Sequence, residues 1–125
     1  MISEQRKNVR FLDVGRVEAP ELCMFPGILE DISMNGSKIR FPLNIDVELN
    51  RDINLSISPS NRGTAQPLHL IAHPRWVQKE KNLTQIGFKF LRSPGTHQLN
   101  SYIEELASAN AQYEEEEVLA LCSVM

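Results

Sequence analysis

Residues 27–41 read GILEDISMNGSKIRF, and the break at Asn35-Gly36 decides the fold. An Asn-Gly pair between two runs that mix apolar and polar residues signals a tight hairpin, because these residues accept the backbone angles that close antiparallel strands. The same period of two recurs downstream, with Ile53, Leu55 and Ile57 in INLSIS, Leu68, Leu70 and Ala72 in LHLIA, and Ile86, Phe88 and Phe90 in IGFKF. Alternation of this kind marks half-buried strands. The connecting stretches, SPSNRGTAQP at 58–67 and KEKN at 79–82, are rich in turn formers. Several short strands joined by turns predict a small antiparallel barrel or sandwich.

After RSPGT the period changes. Ser93 and Pro94 supply a cap and a first helical position, and Leu99, Tyr102, Ile103 and Leu106 then follow the i, i+3, i+4, i+7 spacing of one helical face. A single helix packed on the barrel is predicted. Trp76, Phe88 and Phe90 are expected in the core.

The chain has 125 residues and 42% hydrophobic content, the size and mix of one soluble domain. No run of eighteen apolar residues and no apolar segment behind the first charges is present, so a cytoplasmic protein is expected. Cys23 and Cys122 lie almost a chain length apart, which favours reduced thiols. The formal net charge of -3 conceals an asymmetry. Residues 1–92 carry all thirteen Lys and Arg against ten acids, whereas residues 101–125 carry six Glu and no base. A mildly basic body lacks the dense cationic stripe that long nucleic acid requires, but it suits a small anion.

On the strand before the hairpin, strict alternation sets Ile28 and Ile32 on one face and Leu29, Asp31 and Ser33 on the other. With the isoleucines in the core, Asp31 and Ser33 point outward together, and Gly36 beside them would let a flat ligand approach the backbone. Arg6 and Arg10 lie on QRKNVR, a polar terminal segment able to fold over a ligand. The guanidinium fork grips phosphate oxygens in pairs and also matches the O6 and N7 edge of guanine. Asp31 can accept from guanine N–H groups or hold an arginine, and Ser33 can exchange one more hydrogen bond.

Arg6-x-x-x-Arg10 followed by Asp31-x-Ser33-x-x-Gly36 resembles the PilZ domain family, as do HPRWVQ before a turn and the following TQIGFKF. The likeness spans roughly residues 5–107. It implies an all-β-dominated, six-stranded antiparallel barrel with a C-terminal α-helix, divided into an N-terminal ligand arm (1–10), the barrel plus helix (11–107) and an acidic tail (108–125). It also implies a receptor for the bacterial second messenger cyclic di-GMP that signals to a downstream protein. Ligand-binding roles then fall to Arg6, Arg10, Asp31, Ser33 and Gly36, with no cofactor beyond the messenger ligand.

Other functions have less in their favour. His69 and His73 fall four apart on a strand, about 13 Å from one another, too far to share a metal. No nucleophile elbow or Gly-rich phosphate loop is present, which speaks against an enzyme. The remaining alternative is a PilZ-like protein-interaction adaptor that does not bind nucleotide and works through its acidic tail.

Overall fold

A computed structural model describes residues 9–63 and 65–109. Six strands follow in chain order: β1 (Phe11–Ala19), β2 (Cys23–Ile32), β3 (Gly36–Phe41), β4 (Ile53–Pro59), β5 (Leu68–Glu80) and β6 (Leu83–Phe90). They close into an antiparallel barrel in the order β1-β2-β3-β6-β5-β4, which leaves no free sheet edge. A helix, α1 (96–109), follows β6. This is the six-stranded barrel with one closing helix that the resemblance implies.

Inward positions of every strand meet in one core that includes Val17, Leu29, Ile39, Phe41, Ile57, Leu70, Ile86 and Phe88. Each such side chain contributes about 1.5–3 kcal/mol of transfer free energy. The helical face expected from the sequence is the buried one, with Leu99, Tyr102, Ile103 and Ala107 joining the same core. At its start, the Ser93 carbonyl accepts from the Thr96 N–H (3.1 Å) and the Thr96 hydroxyl accepts from the Ser93 N–H (2.7 Å). Ser93 Oγ is spent elsewhere, donating to the Leu91 carbonyl and accepting from the Ile71 N–H. The segment after β6 is thereby tied to β5.

Two irregularities in the ladders decide which side chains face out. Against β3, β2 carries one extra residue between Leu29 and Asp31, a bulge that reverses the alternation at Glu30. Leu29 and Ile32 therefore both face the core, whereas Ile28 faces solvent and is 43% exposed. This corrects the expectation that Ile28 and Ile32 share an inward face. On β5 a second shift, between Pro74 and Trp76, turns Trp76 outward, where it is 42% exposed. The indole lies over Gly87, since a Cβ there would collide with the ring. Trp76 is thus an exterior residue, and only Phe88 and Phe90 are in the core.

Candidate functional site

Residues 9 and 10 lead into β1, whose Leu12 pairs with Asp31 of β2. The chain entering β1 thus arrives beside Asp31, and Arg10 Nη1 donates to Asp31 Oδ1 at 2.8 Å across 21 residues of sequence. The same oxygen accepts from the Lys38 N–H of β3 at 2.9 Å. The Asp31 carboxylate is thereby held by backbone on one side and meets a guanidinium on the other. Arg10 is half exposed while Asp31 is only 15% exposed, so the acid is fixed and the arginine remains open to solvent. An exposed pair of this kind contributes at most about 1 kcal/mol, so it can exchange for a ligand without unfolding the barrel. Arg6, the other arm residue singled out in the sequence, lies outside the described residues.

Ser33 and Gly36 are placed differently from the expectation. Ser33 is 2% exposed, and its Oγ accepts from the N–H groups of Asn35 and Gly36, each at 3.2 Å. It also lies 3.3 Å from the Gly36 carbonyl, to which the hydroxyl donates. The hydroxyl takes the place of a backbone carbonyl in closing the turn, as serine side chains do in tight loops. The Ser33 N–H to Gly36 carbonyl bond at 2.8 Å completes the hairpin. Among the described residues positive φ occurs only at Asn82 and Gly63, so the Asn-Gly pair does not act here through left-handed angles. Gly36 is buried, and a Cβ on it would fall on the Phe88 carbonyl oxygen of β6. β3 and β6 run too close at that point for a side chain, which by itself requires glycine there. Asp31 therefore faces out while Ser33 and Gly36 are turned into the hairpin.

Strand pairing extends the Asp31 position into a row across the barrel exterior. Leu12, Asp31, Lys38, Gly87 and Trp76 are successive partners on β1, β2, β3, β6 and β5. The row sets an arginine-bound acid, a lysine and a solvent-facing indole on one surface, with three strand spacings, about 14 Å, between Asp31 and Trp76. Sequence reasoning missed Trp76 because the β5 bulge that turns it outward leaves no composition signal.

It also missed Asp13. This acid points inward between exposed Leu12 and Val14, where Oδ2 accepts from the Tyr102 hydroxyl at 2.5 Å and Oδ1 from Asn61 Nδ2 at 3.3 Å. Burial, then the hydrogen bond to Asp13, raises the pKa of the Tyr102 phenol well above its usual range. The Arg62 guanidinium lies 5.9 Å from the centre of the Tyr102 ring. The network joins α1 to β1 three residues after Arg10. A carboxylate in the inward phase of Phe11, Asp13, Gly15, Val17 and Ala19 was the available signal.

No group of three or more metal-ligating side chains occurs among the described residues, and His73 instead bonds Asp52 at 2.8 Å. No helix among them is long and apolar enough to cross a membrane.

No curated protein matches the chain. Among solved structures, the chain is similar to the Bacillus subtilis inhibitor of motility MotI/DgrA, with a TM-score of 0.63 and 12% identity. That likeness covers 81% of this chain and 50% of the other, so the chain spans about half the length of that protein, and the similarity is one of fold. The family model for the PilZ domain matches residues 4–106, which include the RxxxR segment, the whole barrel and most of α1. The chain belongs to the PilZ domain family.

Proposed function

We propose that the chain is a cytoplasmic, non-enzymatic receptor for cyclic di-GMP, which orders the arm at residues 1–10 and presents the ordered arm to a downstream protein. The observation that carries this reading is the contact of Arg10 with Asp31, which joins the two separated sequence motifs at one point on the exterior. Arg6 and Arg10 grip phosphate and the guanine edge, and Asp31 accepts from a guanine N–H or keeps its hold on Arg10. Ser33 and Gly36 serve the ligand by fixing the turn that follows Asp31. Trp76, at the other end of the row, offers its free face to a base, as aromatic side chains do in other nucleotide sites. Binding free energy comes from charge-assisted hydrogen bonds and stacking, less the entropy of ordering the arm.

Calorimetric titration with cyclic di-GMP tests the proposal and gives the stoichiometry, one messenger or a stacked pair. Arg10→Lys is expected to weaken binding nearly as much as Arg10→Ala, by about 10- to 100-fold, the worth of a hydrogen bond to a charged group. An ammonium cannot reproduce the fork. Wild-type affinity in Arg10→Lys would overturn the proposed mechanism, and a flat titration of the wild-type chain would overturn the receptor reading.

A further inference from the structure

The exterior of β1 and β2 carries an apolar patch that the nucleotide reading does not use. Leu12 is 95% exposed, Val14 65% and Ile28 43%. These side chains border a crevice of about 730 Å3 that also reaches Glu30 and Arg40. Contiguous exposed apolar surface of this kind usually marks an interaction site. Its rim carries Arg40, Glu30 and Arg16, the last also meeting Glu18 at 3.2 Å in an exposed pair. Ile28 pairs with Arg16 on β1 and with Arg40 on β3, so the isoleucine lies between two arginines on the outer face. Neither Arg40 nor the nearby Lys38 has a carboxylate partner among the described residues, whereas Glu30 is engaged by Gln85 Nε2 at 2.9 Å. The patch therefore suits a segment that is acidic and then apolar.

This chain contains such a segment. Residues 114–125 read EEEEVLALCSVM, four glutamates followed directly by Val118, Leu119 and Leu121. They are also within reach. Tyr102 of α1 bonds the inward Asp13 between Leu12 and Val14, so the helix meets the inner side of the strand whose outer side bears the patch. From Tyr102 to residue 109 is about 10 Å at 1.5 Å per residue. The four residues 110–113 add up to about 13 Å if extended.

We propose that residues 114–125 dock on the Leu12, Val14 and Ile28 face, with the glutamates against Arg16 and Arg40 and the Val-Leu-Ala-Leu run on the apolar crevice. Because Leu12 pairs with Asp31, the docked tail borders the Arg10–Asp31 pair and brings an acidic segment beside the proposed messenger surface. Docking itself does not depend on nucleotide, and its test contains none.

Cys122 lies within the segment and the other cysteine, Cys23, is buried, so a nitroxide is attached at Cys122 of the full chain. Amide signals are then read with the label oxidised and reduced. The expected result is loss of peak intensity centred on Leu12, Val14 and Ile28. The loss should disappear in Arg16→Glu/Arg40→Glu, in Leu12→Ser/Val14→Ser, and near 1 M salt, where the screening length falls to about 3 Å. All four substituted positions face solvent, so the spectrum of each variant should remain that of the folded barrel. A sample mixing isotope-labelled chains without nitroxide and unlabelled chains with it should show no loss. Loss at the same positions in that mixed sample would assign the face to a second copy and overturn the proposal. So would loss centred elsewhere, no loss at all, or loss that persists after charge reversal.

Discussion

The hairpin at residues 31–36 holds two regions with opposite duties. Asp31 faces outward with its carboxylate between Arg10 and the Lys38 N–H. Two residues on, Ser33 is buried with its hydroxyl closing the turn, and Gly36 is pressed against the Phe88 carbonyl. A six-residue motif that reads as one binding surface is, in space, one exposed recognition group followed by the device that holds it in place. The turn at Ser33 makes that division, by ending an alternation that would otherwise put Asp31 and Ser33 side by side.

The largest expected effect comes from the inward half. Gly36→Ala forces a Cβ onto a backbone oxygen that cannot move without opening the β3–β6 ladder, so it should cost about 3 kcal/mol in urea unfolding and weaken nucleotide binding only through the fold. A stable, fully folded Gly36→Ala protein would show that β3 and β6 are not as close there as described. Ser33→Ala ranks next. It strips two turn N–H groups of their acceptor and should cost about 1–3 kcal/mol. Asp31→Asn is the matched contrast: its stability change should stay below about 1 kcal/mol, because the amide oxygen can still accept from the Lys38 N–H and the arginine it releases is half exposed, yet its calorimetric affinity for cyclic di-GMP should collapse. If Asp31→Asn proved the more destabilising of the two, the division of duties would be wrong.

Much of this was legible in the sequence, for a physical reason. Strands β4, β5 and β6 bury one face each, so their period of two appears directly in the residues, as does the 3.6 period of Leu99, Tyr102 and Ile103. The phase of β2 was not legible. A bulge adds one residue without a composition signal, and every assignment on the far side of it reverses, which is why Ile28 was placed inside and is found outside. Strand β1 was hidden because its inward positions include Asp13, tolerable there through Tyr102 and Asn61, 89 and 48 residues away. Short-range reading cannot supply a partner at that distance.

Trp76 sharpens the outward half. It is the sole tryptophan, so its fluorescence reports on that end of the row alone. If a base stacks on the ring, titration with cyclic di-GMP should quench its emission. Trp76→Ala should then lose about 1 kcal/mol of binding, the lower end of what such stacking contributes. Unchanged emission at saturation, with heat still evolved in the calorimeter, would confine the ligand to the Arg10–Asp31 end.

The smallest effect separates two buried serines four residues apart. Ser33 and Ser37 are both inaccessible to solvent, but Ser33 Oγ serves the turn, whereas Ser37 Oγ, inside the barrel between Ile32 and Phe88, meets no hydrogen-bond partner among the described residues. Burying a hydroxyl without a partner costs free energy, and removing it relieves that cost at the loss of a single atom's packing. Ser37→Ala should therefore be neutral or raise stability by up to about 1 kcal/mol in urea unfolding, with nucleotide affinity unchanged. The same substitution thus has opposite signs at positions 33 and 37, and the difference measures what a hydroxyl contributes when the hairpin gives it work. A loss at Ser37→Ala as large as that at Ser33→Ala would mean that Ser37 has a partner within the barrel, and the contrast between the two halves would shrink to Asp31 alone.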